Sequence, residues 1–249
     1  MSKIVKINEK AGRQELIERL KSAPQLYVLI SLCTKEPYVV CNPETFDDQV
    51  LMFFKEEEAK QKSNELKEEK IPVHPARLES KQMLVFFTGL FTMGVNALLV
   101  KDGEDEVLIQ LDEFVKRRKP EELPEGTLWV ENPQLHLTTL YYAQEMRKGQ
   151  GQKEGLESMQ EEISADFRKG NYIFAVHKEE KGTPLIKLAD EKTYQPIFTD
   201  VLQFQKFNQE NQFRPVVVAA PKLPEVLAKE AVGIVLNLMG VSLPLELRK

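Results

Sequence analysis

Two short stretches in the C-terminal half place polar side chains beside residues that favour turns. The first is Phe198-Thr199-Asp200, which follows a strand-like run and precedes apolar residues at helical spacing. An aspartate in this position accepts a hydrogen bond from a backbone N–H and so caps a helix, whereas a carboxylate at a strand end can also face a ligand. We expect Asp200 to cap the following helix, and the alternative is a binding role for all three residues.

The second stretch, Asn237-Leu238-Met239-Gly240, lies between two apolar runs. Asparagine and glycine tolerate positive φ, so the pattern predicts a tight hairpin turn. The alternative is a recognition turn that contacts a ligand. Together the two stretches supply the candidate binding residues, and the sequence predicts no catalytic residue among them: Phe198, Thr199, Asp200, Asn237, Met239 and Gly240.

A third stretch, residues 86–93, is apolar around its whole circumference if it is helical. Burial between a sheet and the other domain is the simpler interpretation. If the stretch is exposed instead, its aromatic side chains form a self-association patch, and the protein is a homodimer.

Metal and cofactor chemistry find little support in the sequence. Cys33 and Cys41 flank a predicted turn, and their spacing matches no compact zinc site, while His74, His136 and His177 fall in different elements. The chain also lacks a nucleophile elbow and the glycine-rich loops that bind phosphate. We therefore predict no metal and no cofactor, and two reduced thiols of the kind usual in the cytoplasm.

Charge and hydropathy restrict the partners. The net charge is −5 with acidic and basic residues interspersed, which argues against a nucleic-acid surface. No apolar run is long enough to cross a bilayer, and residues 1–8 do not resemble a secretory signal. The expectation is a cytoplasmic protein that binds neither nucleic acid nor membrane.

The elements that position these residues occur twice, in the order α-β-β-β-α-β-α-β-β. The first copy has predicted helices at 13–21, 56–69 and 81–93, and predicted strands at 26–32, 38–40, 49–54, 71–73, 95–100 and 107–111. The second copy has a helix at 156–168, a helix after Asp200 and a short helix from 223, with strands at 172–176, 184–188, 194–199, 213–218, 232–237 and 241–245. The fold class is therefore α+β with an internal duplication.

The copies have a nearly constant offset at first, since Leu26 aligns with Tyr172 and Gln49 with Gln195. The alternative is that any α+β chain could be aligned in this way. The predicted domains are residues 1–130 and 153–249. Residues 131–152 form a linking helix that begins at Asn132-Pro133 and a hinge at residues 149–152.

Five segments carry further motifs: 194–200, 207–218 and 233–245 in the second half, and 87–98 and 132–142 in the first half and the linking helix. These segments resemble the SseB family of bacterial proteins. Leu238 and Ser242 depart from the proline and asparagine usual in the family, which bears on a shared binding turn more than on the fold. The family takes its name from an enhanced serine-sensitivity phenotype, and the resemblance implies no established reaction.

The function that the sequence favours is a non-enzymatic binding or adaptor protein that presents an interdomain surface to a protein partner or a small metabolite. Duplication of a unit without catalytic signatures supports this interpretation. One alternative is an enzyme whose site combines Asp200, Asn237 and an acidic residue across the interdomain cleft. Another is a mainly structural homodimer.

Overall fold

The structure is a computed structural model of the 249-residue chain. It describes residues 10–117, 120–122, 124–148, 153–179 and 182–247, and the predicted hinge at residues 149–152 lies outside these ranges. The chain divides into two compact units, Met1–Arg118 and Lys119–Lys249, and each contains helices and a six-stranded sheet. The prediction of an α+β fold is confirmed. Within the described ranges, no helix is both long and apolar enough to cross a membrane.

Unit 1 follows the predicted order of elements. Its helices are α1 (Lys10–Ser22), α2 (Glu56–Glu68), α3 (Ser80–Thr92) and α4 (Leu111–Phe114). Its strands are β1 (Gln25–Ser31), β2 (Val39–Cys41), β3 (Asp48–Phe53), β4 (Val73–Glu79), β5 (Ala97–Asp102) and β6 (Asp105–Gln110).

Unit 2 repeats this order after one additional helix, α5. Its helices are α5 (Pro133–Lys148), α6 (Lys153–Phe167), α7 (Val201–Phe207) and α8 (Leu223–Val226), and a 3-10 turn, Ala220–Lys222, leads into α8. Its strands are β7 (Asn171–His177), β8 (Ile186–Lys187), β9 (Thr193–Phe198), β10 (Phe213–Ala219), β11 (Gly233–Leu236) and β12 (Leu243–Glu246).

The two sheets have the same topology. The strand order is β4-β1-β3-β5-β6 in unit 1 and β10-β7-β9-β11-β12 in unit 2, and β2 and β8 pair with β3 and β9. In each sheet one pair is parallel, β3 with β5 and β9 with β11, and the other pairs are antiparallel. Two units with one topology support the predicted duplication.

Strand register refines the sequence alignment by one residue. Phe53 pairs with Tyr27 in unit 1, and Phe198 pairs with Ile173 in unit 2. Across the parallel pairs, Gln49 lies opposite Ala97, and Tyr194 lies opposite Gly233. Gln49 therefore corresponds to Tyr194 and not to Gln195. The residues of β3 are equivalent to residues of β9 that lie one position earlier than the sequence alignment indicated.

Strand β7 shows why unit 2 needs helices on both sides of its sheet. Successive side chains of a strand point to opposite faces, and residues 172–175 are all buried. Tyr172 and Phe174 pack with Leu135 of α5 and Ile163 of α6 on one face. Ile173 and Ala175 pack with α7 and Val130 on the other. The predicted linking helix α5 thus covers one face of the unit 2 sheet.

Helix α3 only partly buries its apolar surface. Met83, Phe87 and Leu90 are buried, whereas Leu84 and Val85 are exposed. Leu84 and Val85 precede the segment 86–93 that was predicted to be apolar on every side. Within that segment Phe87, Leu90, Thr92 and Met93 are buried and the other residues are half-buried, so none of its residues is exposed.

A proline interrupts one edge of each sheet at the same position. Two backbone hydrogen bonds, from Lys178 N–H to Gln212 O and from Ala220 N–H to Gly170 O, show that the N–H and C=O groups of even-numbered β10 residues point toward β7. The backbone groups of odd-numbered residues therefore point away from the sheet. Pro215 is one of these residues, and because it has no N–H, the edge lacks a donor there. Pro75 of β4 is equivalent, since it lies opposite Leu29 as Pro215 lies opposite Ala175.

The opposite edges are modified in different ways. In β12, the hydrogen bond from Leu247 N–H to Val232 O shows that the backbone groups of odd-numbered residues point toward β11. The backbone position of Pro244 therefore faces away from the sheet. In β6, Arg13 donates from Nη1 to the carbonyl of Leu108 at 2.8 Å. The proline in β12 and the Arg13 hydrogen bond to β6 both reduce the number of free backbone groups with which an added strand could pair.

Candidate functional site

A buried polar cluster in unit 2 joins α5 to the ends of β9 and β11. It consists of His136, Thr199, Asp200 and Asn237, which are buried, and Asn132, which is half-buried. The amide of Asn132 donates to the carbonyls of Asn171 and Thr199, each at 2.8 Å. Because Asn132 immediately precedes α5, these bonds fix the start of that helix against the edge of the sheet where β7 begins and β9 ends.

Asp200 has the capping role predicted for it. Its Oδ1 accepts a hydrogen bond from the backbone N–H of Gln203 at 3.0 Å, and α7 begins at the next residue. Its Oδ2 accepts a bond from the Thr199 hydroxyl at 2.8 Å and lies 3.6 Å from Nδ1 of His136. One carboxylate therefore caps α7 and also contacts α5.

Asn237 occupies the predicted turn and also contacts β9. The N–H of Gly240 donates to the Asn237 carbonyl at 2.8 Å, which closes the turn. The Asn237 side chain accepts from the Thr199 N–H at 3.0 Å and donates to the Thr199 hydroxyl at 2.9 Å. Asn237 has φ of 48°, a left-handed conformation that asparagine adopts more readily than most residues.

The charge of Asp200 depends on its neighbours. Burial by itself raises the pKa of this carboxyl group, because a charged form loses hydration. The hydrogen bond and charge of His136, with the Gln203 N–H and the Thr199 hydroxyl, outweigh burial and hold the pKa below its usual value. The cluster therefore stabilises the ionised form of Asp200.

A carboxylate, an imidazole and a hydroxyl are the groups that activate a nucleophile in many hydrolases. In such hydrolases one ring nitrogen of the histidine bonds the carboxylate and the other bonds the nucleophilic hydroxyl. Here Nδ1 of His136 approaches both Asp200 and Thr199, the latter at 3.4 Å, while buried Nε2 has no hydrogen-bond partner among the described residues. All three side chains are at most 1% exposed. This geometry ties elements together and provides no relay to a substrate.

Unit 1 does not repeat the cluster. Register places Phe54 and Lys55 where unit 2 has Thr199 and Asp200, and it places Lys101 opposite Phe53, where Asn237 follows β11. Lys55 precedes α2 without a side-chain cap. The polar contacts are therefore specific to the unit that contains α5.

The six predicted binding residues are distributed between core and surface. Phe198 is buried, and its ring lies 5.6 Å from that of Phe204 and 5.2 Å from that of Phe207. Thr199, Asp200 and Asn237 come together in the buried cluster, and Gly240 is buried in the turn. Met239 is 43% exposed and lines a pocket of about 230 Å³. Their role in ligand binding stays a prediction.

Sequence reasoning missed His136 and Asn132 as partners of these residues. His136 lies 63 residues before Thr199, and no local spacing connects them. The available signal was the polar content of α5, where His136, Thr138, Thr139 and Gln144 are buried together with apolar side chains.

A larger groove lies on the α6 side of the same unit. It has a volume of about 660 Å³ and is lined by α6, by the 3-10 turn and α8, by Tyr142 of α5 and by residues 243–247 at and after β12. Ile163, Phe167, Leu223, Leu243 and Leu245 give it an apolar surface.

Polar groups border the groove. Nε2 of Gln160 donates to the hydroxyl of Tyr142 at 2.6 Å, and Glu246 pairs with Lys192. Ser164 follows Gln160 by four residues, so both lie along one face of α6, and Arg168 follows directly after the end of that helix. Arg168 is exposed and has no carboxylate partner in the described part of the chain.

Metal-binding groups are not assembled in the part of the chain that the structure describes, where no three or more His, Cys, Asp or Glu side chains form a possible site. Cys33 and Cys41 are both free thiols.

Comparison with known proteins gives structural similarities of low score. No protein-family model and no curated protein matches the chain. Tic22 from Plasmodium falciparum is 13% identical with a TM-score of 0.23, and the match covers 84% of each chain. Tic22 from Anabaena, whose description gives protein transport as its role, is 12% identical with a TM-score of 0.22. That match covers 89% of this chain and 91% of the other. Similarities of this size carry no argument about fold or function.

Proposed function

We propose that the chain is a non-catalytic binding protein that holds an apolar ligand group in the groove of unit 2. The groove carries this proposal. Its volume of about 660 Å³ falls in the range of known ligand sites, and its mainly apolar lining with a few polar groups is typical of them.

The buried cluster supports a binding role over catalysis. Its carboxylate, imidazole and hydroxyl serve as ties between α5, α7 and the sheet, and none of them lines the groove. The polar groups that do line it are the Tyr142 hydroxyl with the Gln160 amide that donates to it, Ser164, Arg168 and the carboxylate of Glu246, which is paired with Lys192. They suit recognition of a ligand better than bond cleavage.

The resemblance to the SseB family agrees with this proposal. Membership rests on the motifs at 194–200, 207–218 and 233–245 and brings no catalytic residues with it. We therefore include SseB-family membership in the proposal, with an adaptor role for the protein.

A fluorescence titration with anilinonaphthalene sulfonate tests the groove. The full chain is expected to bind this apolar anion saturably, and Leu245→Glu is expected to weaken binding about tenfold or more, because it places a charge in the groove. Val217→Glu is the matched control, since Val217 is exposed on β10 and does not line the groove. Near-ultraviolet circular dichroism checks that each variant is folded. Equal binding by Leu245→Glu and the wild-type chain contradicts the proposal.

A further inference from the structure

A strained aromatic residue projects from the surface of unit 1. Phe46 belongs to the loop of residues 42–47, which joins β2 to β3, and it is 78% exposed, the largest exposed fraction of any large hydrophobic residue in the described ranges. Its φ is 59°, in the left-handed region where a bulky residue is a rare outlier. Backbone strain of this kind needs support from the surrounding structure and is concentrated at functional positions. Phe46 is therefore a candidate contact residue.

Hydrogen bonds fix the loop beneath this ring. Asn42 accepts bonds from three backbone N–H groups of residues 44–46, two through Oδ1 at 2.9 and 3.2 Å and one through its carbonyl oxygen at 2.9 Å. The Asp47 carboxylate accepts bonds from Nδ2 of Asn96 at 3.1 Å and from Nε2 of Gln110 at 3.0 Å. Because the loop is already ordered, a partner that binds the ring loses little additional conformational entropy.

The equivalent loop of unit 2 shows that the fold does not require an aromatic ring at this position. Strand β2 pairs with β3 as β8 pairs with β9, and this register makes Asp48 equivalent to Thr193. Two residues earlier, Phe46 therefore corresponds to Glu191, whose φ of 63° is almost the same. Glu191 is exposed and pairs with Lys187. The loop thus accepts a charged residue, the usual type on a surface, and folding alone does not explain a phenylalanine there.

A pocket in unit 2 is suited to one aromatic side chain. This Met239 pocket has a volume of about 230 Å³ and is lined by Met239 and by residues between 206 and 213, at the end of α7 and the start of β10. Its volume lies below the roughly 300 Å³ at which sites for whole small molecules begin. The rings of Phe207 and Phe213 stand 5.2 Å apart in the lining at an interplanar angle of 28°. Aromatic rings and the methionine thioether both pack favourably against another aromatic ring.

The charges beside the loop and the pocket are complementary. Glu44, which is exposed, and Asp47, which is half-buried, place two carboxylates beside the ring of unit 1. Lys206 lines the Met239 pocket, and Lys178 donates a hydrogen bond to the loop that borders it. Glu210 is the acidic residue of the lining, and its carboxylate accepts a bond from a neighbouring amide at 2.6 Å. An acidic loop and a mainly basic pocket attract each other.

We propose that two copies of the chain associate through these sites, with Phe46 of one copy inserted into the Met239 pocket of the other. The ring packs against the aromatic and methionine side chains of the pocket, and the carboxylates of the loop approach its lysines. A second copy is the partner that fits, because one chain carries both halves of the contact. The contact does not involve the groove, so it goes beyond the binding function proposed there and is tested separately.

Sedimentation equilibrium of the full chain tests the association. Over about 10 µM to 1 mM, the range expected of a small interface, the average mass is expected to rise above that of the monomer. Phe46→Gly is expected to remain monomeric. Because glycine removes the strain at positive φ, its midpoint of thermal unfolding should equal that of the wild type or exceed it by about 2 °C. A wild-type chain that stays monomeric, or a Phe46→Gly chain that associates equally, overturns the proposal.

Mixing two variants tests whether Phe46 and the Met239 pocket bind each other. Met239→Glu places a charge in the pocket at a position that is 43% exposed, so this variant is expected to fold and to remain monomeric by itself. An equimolar mixture of Met239→Glu and Phe46→Gly is expected to form dimers and nothing larger, because one variant retains the ring and the other retains the pocket. A mixture that stays monomeric overturns the pairing.

Surface variants elsewhere in unit 1 provide matched controls. Leu84→Glu introduces a charge at an exposed apolar residue of α3 and is expected to associate as the wild type does. Loss of association in Leu84→Glu but not in Phe46→Gly overturns the proposal in favour of a contact through α3. Glu44→Lys is expected to weaken association about threefold, whereas Glu57→Lys makes the same change on α2 and should leave it unchanged. Equal effects of these two variants overturn the charge pairing.

Binding of anilinonaphthalene sulfonate separates this proposal from that of the groove. Phe46→Gly is expected to bind the fluorescent anion as the wild type does, because Phe46 does not line the groove. Association of the wild-type chain without binding of the anion contradicts the groove alone. Binding of the anion by a wild-type chain that stays monomeric contradicts the Phe46 contact alone.

Discussion

Asn237 and Thr199 satisfy each other's hydrogen bonds across the ends of two parallel strands. The Thr199 N–H donates to Asn237 Oδ1 at 3.0 Å, and Asn237 Nδ2 donates to the Thr199 hydroxyl at 2.9 Å. Both residues are fully buried, so neither group can exchange its partner for bulk water. This pair ties the turn before β12 to the cap of α7.

Replacing the asparagine should therefore weaken unit 2. Asn237→Ala is expected to lower the free energy of unfolding by about 3 kcal/mol, because it leaves the buried Thr199 N–H without a partner, removes one bond of the Thr199 hydroxyl and strains alanine at positive φ. Asn237→Gly loses the same bonds without the strain and should be about 1 kcal/mol more stable than the alanine variant. Urea denaturation followed by the fluorescence of Trp129, the single tryptophan, measures both. Equal stability of the alanine and glycine variants would rule out the contribution from strain.

Removing the charge of Asp200 should have an effect that depends on pH. The folded protein holds the pKa of Asp200 below its usual value, so the stability it contributes is fully present above the unfolded pKa of about 3.9 and is lost as pH falls through the folded pKa. Asp200→Asn is expected to cost about 3 kcal/mol at pH 7, and the difference from wild type should shrink in acid. Chemical denaturation at pH 7, 5 and about 3 measures the trend. A difference that is constant with pH contradicts the assigned charge.

Coupling between α5 and the cap of α7 can be measured with a double-mutant cycle. Removing His136 leaves the Asp200 carboxylate buried with fewer partners, so His136→Leu and Asp200→Asn each destabilise the fold. The double variant should lose about 1–2 kcal/mol less than the sum of the two single losses, since the contact can be lost only once. Additive losses would show that the 3.6 Å approach between the two side chains contributes no coupling energy.

The close approach of β11 and β12 gives a fourth prediction. A Cβ atom on Gly233 would lie 2.1 Å from the carbonyl oxygen of Leu245, so Gly233→Ala is expected to cost about 3 kcal/mol or more. Gly155→Ala is the control, because no atom lies within 4 Å of its added Cβ and alanine favours helix α6 by about 0.5–1 kcal/mol. Thermal unfolding of both variants checks the result. A stable Gly233→Ala variant would show that β12 can shift away from β11 at little cost.

The strands and the helix caps could be predicted from the sequence because they depend on local patterns. The buried runs of β1 and β7, the Asp200 cap and the turn at Asn237 follow from residue type and spacing within a few positions. The duplication was visible for the same reason, since each element kept its place in the order.

The contacts of the site depend on long-range packing and were not predictable in this way. His136 meets Asp200 only because α5 covers the sheet of unit 2, and a helix after a proline-rich link also fits a linker. The groove lies beside a connection between β10 and β11 that is about one helical turn shorter than the connection between β4 and β5. In the sequence that appears only as a change of offset between the copies.

The outward prolines have a consequence for the protein at high concentration. A sheet edge with an unbroken row of N–H and C=O groups acts as a template on which further copies stack, which is the route to cross-β aggregates. Pro75, Pro215 and Pro244 each remove a donor from such a row. The chain can therefore expose an apolar groove to its surroundings while its sheets resist growth into fibrils.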